Sequence, residues 1–230
     1  VERVAAGLGL VVWPMVEFEA DDAIATAAAR WGAHPQVDQV VICSPDKDLT
    51  QMVQGQQVVC LDRRQAIVYD DAGVMRKFGV EPASIPDYLG LMGDSVDRIP
   101  GIPRWGAKTA SQLLATYSHI EDIPLNSMMW TVKIRGASAV AASLKENFEK
   151  ALFYRELATL RTDVVLAETL EQLTWMGVHR GHASNMFPHG EVNAAKTQSE
   201  ALVAVLMGLS SFCNSEAMLS FNNKKGLVIN

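Results

Sequence analysis

Apolar and polar positions change period several times along the chain, and the changes mark its elements. Residues 8–13 (LGLVVW) and 39–43 (QVVIC) are short apolar runs rich in β-branched residues, the pattern of parallel strands buried on both faces. Between them, residues 21–31 (DDAIATAAARW) are alanine-rich, with Asp21 and Asp22 at the start and Arg30 near the end, charges that complement the helix dipole. Strand, helix and strand make a βαβ unit. A turn at 44–48 (SPDKD) leads into a helix predicted over 49–53, and residues 57–61 and 66–69 flank Asp62-Arg63-Arg64 as a hairpin. Short helices follow at 72–78 and 85–92, with Pro82 and Pro86 suited to first turns.

From Arg98 the text changes character. A Pro/Gly-rich turn at 99–110 (IPGIPRWGAKTA) opens an amphipathic helix over 109–117. Another helix is predicted over 143–159, where Leu144, Phe148, Leu152 and Leu157 share one face. Met128-Met129-Trp130 reads as core. Beyond Gly177 the chain is rich in Asn, Ser and His, interrupted by one apolar helical stretch at 200–209, and no internal repeat is visible. The division expected is 1–97, 98–178 and a tail of unknown structure at 179–230.

Length and composition narrow the class. A chain of 230 residues with 49% hydrophobic and 20% charged residues has enough apolar material for a buried core. No apolar run approaches the ~20 residues that span a bilayer. Cys43, Cys60 and Cys213 lack metal-ligand spacing and suit buried thiols in a reducing, cytoplasmic compartment. No secretory signal is expected from a start at Val1, and that start also suggests that a true beginning is missing. The five histidines show no metal spacing and read as surface residues.

Charge is uneven: residues 1–97 hold 7 Lys/Arg against 15 Asp/Glu, whereas residues 98–155 hold 8 against 4. An acidic first part beside a basic middle suits a protein that holds cations in one region and grips phosphates with another, although ordinary solvated surface gives the same counts.

Three acidic clusters stand out: Glu19-Ala20-Asp21-Asp22, Asp46-Lys47-Asp48 and Asp94-Ser95-Val96-Asp97. Each reads singly as a helix cap or turn. Their places relative to the strands add a second reading, because sites in open α/β sheets form beyond the carboxyl ends of strands. Carboxylates gathered there repel one another unless cations compensate. Mg²⁺ or Mn²⁺ suits an all-carboxylate set, and two such ions about 4 Å apart would support an in-line phosphoryl displacement. In the basic part, the glycines before the 109–117 helix let backbone N–H groups approach a phosphate, with Lys108 adding a contact; a plain tight turn is the alternative. The GxxxxGK[ST] pattern of a P-loop is absent.

EADD, a strand followed by SPDKDL, then GDSVDRIPG running into WGAKTA, in this order, resemble the 5′-3′ exonuclease and flap endonuclease family, and within it the stand-alone bacterial relatives of the 5′-nuclease domain of DNA polymerase I. The resemblance runs from about residue 11 to about residue 177 and includes LATLRTD at 157–163. It implies a PIN-like α/β core with a parallel sheet, a helix-hairpin-helix subdomain, and hydrolysis of phosphodiesters near 5′ ends, flaps and branches of DNA or RNA–DNA hybrids. By the same resemblance Glu19 and Asp21 would hold one metal and Asp46, Asp48, Asp94 and Asp97 a second, with Asp22 adjacent. Gly101, Arg104, Trp105, Gly106, Lys108 and Thr109 would shape the hairpin and follow the duplex backbone through sequence-independent contacts. Trp105 has two readings, stacking on a base or packing in the hairpin.

Departures from the family pattern bear on the activity. Family members begin with a strand carrying a metal-binding Asp, then a second Asp and a helical arch; these would precede Val1. The expectation is therefore a nuclease impaired in this chain, with a partner chain or a missing segment supplying the rest. A non-catalytic DNA-binding remnant and a phosphatase or PIN-type RNase are the alternatives. Arg104 stands where the family commonly has Gly, which counts against the K⁺ that the family often carries at this hairpin.

Overall fold

The Asp46–Asp48 turn follows a sheet whose two central strands are apolar and largely buried on both faces. The structure is a computed structural model that describes residues 2–176 and 226–229. After the short helix α1 (Glu2–Gly7) and helix α2 (Ala20–Trp31) comes β1 (Gln39–Ile42), then β2 (Val58–Asp62) and β3 (Ile67–Tyr69). The helices that follow are α3 (Asp71–Phe78), α4 (Ile85–Met92), α5 (Ala107–Tyr117), α6 (Ala137–Glu146) and α7 (Phe148–Ala158), and β4 (Gly226–Ile229) closes the series. Sheet order is β3-β2-β1-β4, with β1 parallel to β2 and β4, and β3 antiparallel to β2. All four residues of β1 are buried. Ala23, Ala27 and Ala28 of α2 are buried in the core that also holds Val40 and Ile42; their small side chains allow close helix–sheet packing.

The strand predicted at 8–13 does not form. One edge of β1 pairs with β2 and the other with β4, in the register Gln39↔Gly226 to Ile42↔Ile229, so neither edge is left for it. The segment is held instead by side chains. The Leu8 carbonyl accepts from Trp175 Nε1 at 2.9 Å, Trp13 stacks on Trp31 with centroids 6.1 Å apart, and Trp13 Nε1 donates to Glu168 Oε2 at 2.8 Å. The hairpin reading of β2 and β3 agrees with the structure.

The helix predicted over 143–159 is two helices. Asn147 adopts φ −115°, ψ 22° between α6 and α7, and its Nδ2 donates to the Ser143 carbonyl at 2.9 Å, competing with helix continuation. In place of the helix predicted over 49–53 there is a 3₁₀ turn, Asp48–Met52, which ends at the extended Val53. Met128 and Met129 are 89% and 66% exposed, so the core reading of that stretch fails except at the partly buried Trp130. The apolar stretch at 200–209, Cys213, His179, His182 and His189 lie outside the described residues.

The helical part is packed on itself and then returns to the first half of the chain. Helix α4 lies against α7 so closely that a Cβ on Gly90 would stand 2.7 Å from Arg155 N. The buried Asp87 lies 2.9 Å from His119 Nδ1 and accepts from Ile120 N at 3.1 Å and Arg155 Nη1 at 3.2 Å, joining α4, α7 and the turn after α5. The LATLRTD stretch then folds back over α2. Asp22 Oδ1 accepts from Arg161 N at 2.8 Å, Thr26 Oγ1 from Val164 N at 3.2 Å, and Gln51 Oε1 from Leu160 N at 3.0 Å.

Candidate metal centre

Each acidic cluster is placed by a local backbone device. Glu19 is the extended N-cap of α2, and its N–H donates to Asp22 Oδ2 at 3.2 Å. At the carboxyl end of β1, Ser44 Oγ accepts from Asp46 N at 3.1 Å and Asp46 Oδ1 from Asp48 N at 3.0 Å, winding the chain into the 3₁₀ turn. The third loop starts where α4 stops at Gly93 (φ +87°). Asp94 and Ile99 then exchange backbone bonds, Asp94 N to Ile99 O at 2.7 Å and Ile99 N to Asp94 O at 2.8 Å, and Asp94 Oδ1 accepts from Val96 N at 3.0 Å.

These devices bring Asp48, Asp94 and Asp97 together: one carboxylate oxygen from each lies within 4.8 Å of the others. Asp48 and Asp94 are only 9% and 5% exposed, whereas Asp97 is on the surface. Asp48 Oδ1 is buried without a hydrogen bond, and the buried Asp94 Oδ2 meets the Lys47 ammonium. A buried carboxylate oxygen without a partner is costly, and a hard cation is the ligand this donor set fits.

The sequence reading gave Lys47 no role. Its Nζ forms an ion pair with Asp94 and lies 3.6 Å from Asp48 Oδ1. Lysine between two aspartates reads as solvated charge, and only the meeting of the two loops shows otherwise.

Electrostatics report the same convergence. Burial, then repulsion from Asp46, Glu19, Asp22 and Asp97, raises the Asp21 carboxyl to about 6. Burial raises Asp48 to about 7; Lys47 opposes this, and hydrogen bonding to Asp97 and the charges of Asp46 and Asp97 add to it. Burial also works against the Asp94 carboxylate, but the Lys47 ammonium and the Val96 N–H outweigh it and hold its pKa below the ordinary value. Asp21 therefore senses all three clusters. Even so, Glu19 and Asp21 do not join the described group of three converging carboxylates, and Asp22 is occupied by the Glu19 and Arg161 N–H groups.

The basic loop has a different character. Arg104, Gly106 and Lys108 are exposed at the start of α5, and Thr109 is partly buried in its first turn. Arg104 sits at φ +70°, the left-handed region that favours Gly. Gly101 (φ +67°) lies behind the loop, against Gly93. Trp105 is 5% exposed and its Nε1 donates to the Val140 carbonyl at 3.3 Å, so of its two readings packing holds and base stacking is withdrawn.

The chain is similar to known proteins in sequence and in fold. The model for the 5′-3′ exonuclease N-terminal resolvase-like domain matches residues 1–79, and that for the 5′-3′ exonuclease C-terminal SAM fold matches residues 80–181. DNA polymerase I of Pseudomonas aeruginosa is 38% identical over 174 residues, covering 72% of this chain and 18% of the polymerase. A 5′-3′ exonuclease of Buchnera aphidicola subsp. Baizongia pistaciae is 32% identical over 190 residues, covering 82% of this chain and 62% of that protein. The chain thus spans less than two thirds of either relative. In fold it is similar to the zinc-bound T5 5′-exonuclease, with a TM-score of 0.54 and 20% identity over 65% of this chain and 53% of that one. It is similar also to a T5 flap endonuclease in a pseudo-enzyme–product complex with DNA and metal ions, with a TM-score of 0.52 and 16% identity over 83% and 61% of the two chains. With both family models matched in order over residues 1–181, this chain belongs to the 5′-3′ exonuclease family.

Proposed function

We propose that the chain forms the nuclease portion of a metal-dependent 5′-3′ exonuclease and flap endonuclease acting on DNA phosphodiesters. The observation that carries this reading is the meeting of Asp48, Asp94 and Asp97 within 4.8 Å, with a buried Asp48 oxygen left without a hydrogen bond. Asp48, Asp94 and Asp97 would hold Mg²⁺ or Mn²⁺, with Asp46 beside them, and Glu19 and Asp21 would contribute to a second position. When bound, such an ion would supply a Lewis acid for the phosphoryl oxygens and lower the pKa of a bound water that could attack phosphorus. The protein's own part is to hold the carboxylates on the turn after β1, the loop after α4 and the start of α2, and to bury Asp48 and Asp94. Arg104 and Lys108, exposed before and within the first turn of α5, would grip backbone phosphates of the duplex, positioning DNA without reading its sequence. RNA–DNA hybrid as substrate belongs to the same proposal, as does a cytoplasmic location, whereas Arg104 at the hairpin counts against a K⁺ there; the described residues contain no helix long and apolar enough to cross a membrane.

One observation favours a second reading, a DNA-binding chain that cleaves only when completed by further carboxylates from a partner chain or an additional segment. Among the described residues, Glu19 and Asp21 stand outside the converging group. Cleavage of a 5′-labelled flap DNA in Mn²⁺ tests both readings. The nuclease reading expects cleavage that falls by about a hundredfold or more in Asp94→Asn, about 3 kcal/mol of barrier. Flap binding without cleavage in the wild type supports the second reading, and cleavage unaffected by Asp94→Asn contradicts the first.

A further inference from the structure

We infer that Lys47 is the resident counter-cation of the carboxylate cluster, holding the site assembled until a divalent ion displaces its ammonium group. The inference rests on the metal-centre reading above and adds a positioning residue to it. Asp48 and Asp94 are buried beside Asp97, and without a positive charge their repulsion would push the two loops apart. Among the ion pairs of the described residues, Lys47 is the cation that reaches Asp48 and Asp94, bridging the turn after β1 to the loop after α4.

Its backbone is fixed at the head of the 3₁₀ turn, where the Lys47 carbonyl accepts from Thr50 N at 3.0 Å. The ammonium can therefore leave only by side-chain rotation, and the side chain is already partly exposed. A single ammonium serves this cluster incompletely. It pairs with Asp94 but leaves Asp48 Oδ1 without a hydrogen bond. A divalent ion, with twice the charge and six or more oxygen ligands, would satisfy both acids at once. The two cations would compete for the same Asp94 oxygen, so Lys47 stabilises the metal-free protein and lowers its affinity for metal.

The test is Mn²⁺ titration by calorimetry of the full chain, comparing wild type with Lys47→Met, Lys47→Gln and, as a control for net charge, the exposed Lys145→Met on α6. Loss of the ammonium is expected to tighten Mn²⁺ binding by about fivefold or more, lower Tm in chelator and enlarge the Tm gain from Mn²⁺; the control should match wild type. A second measurement needs no variant: amine-directed labelling of Lys47 in the wild type should rise when Mn²⁺ saturates the site. Tight Mn²⁺ binding with affinity unchanged or weakened in both Lys47 variants, or labelling that does not rise, overturns the inference and leaves the metal centre standing. Absence of Mn²⁺ binding in every protein overturns both.

Discussion

A β-carbon on Gly101 would lie 2.5 Å from the backbone nitrogen of Gly93, so the two glycines fasten the ends of the loop that carries Asp94 and Asp97. Both have positive φ, +67° at Gly101 and +87° at Gly93. Gly101→Ala thus meets a steric clash and a strained backbone together. It should cost about 1–3 kcal/mol in urea unfolding and weaken Mn²⁺ binding, because the carboxylates move with the loop. Unchanged stability would show that the loop is not fastened there.

Arg104 separates stability from DNA contact. At φ +70° its backbone carries strain that glycine relieves, against the glycine's greater freedom in the unfolded chain. Arg104→Gly should leave stability unchanged or raise it by up to about 1 kcal/mol, while reducing the salt dependence of flap binding by about one phosphate contact. Lost stability with intact DNA binding would reverse this assignment.

Asp22 lies next to Asp21 but does different work. Its oxygens accept from Glu19 N and Arg161 N, pinning the 157–163 stretch to α2. Asp22→Ala should lower stability by about 1–2 kcal/mol and alter Mn²⁺ affinity far less than Asp94→Asn does. Equal losses of metal binding in the two variants would place Asp22 among the ligands.

The metal-free site should make stability fall as pH rises. Asp21 and Asp48 are raised to about 6 and about 7 from an ordinary 3.8, so between these limits the folded chain retains protons that the unfolded chain has released. Their contribution is greatest below about pH 4, declines with rising pH, and reaches its minimum above about pH 7. In chelator, the urea midpoint should drop from about pH 5 to about pH 8, and Asp48→Asn should flatten the slope. A slope that Asp48→Asn leaves untouched would contradict this account of the acid at position 48.

Local sequence signals located most of the site's parts. Asp46 and Asp48 follow an apolar strand, Asp21 opens an alanine-rich helix, and Asp94 follows Gly93 at a helix end; the backbone expresses each of these signals directly. What the sequence hid was pairing across long separations. Residues 8–13 have strand composition, yet the edge of β1 is filled by Gly226–Ile229, and no local pattern announces that partner. Lys47 looks solvated until Asp94 is brought to it, and only the fold shows the Arg161 N–H donating to Asp22. Trp105 had two readings that only the packing beside Val140 could separate.

Mn²⁺ titration of wild type against Asp94→Asn, with affinity and stoichiometry read by calorimetry, tests most directly whether the turn carrying Asp48 and the loop carrying Asp94 and Asp97 build one cation site. The account predicts a wild-type site whose affinity drops by about tenfold or more in the variant. No Mn²⁺ binding in the wild type, or equal binding in the two proteins, would contradict it.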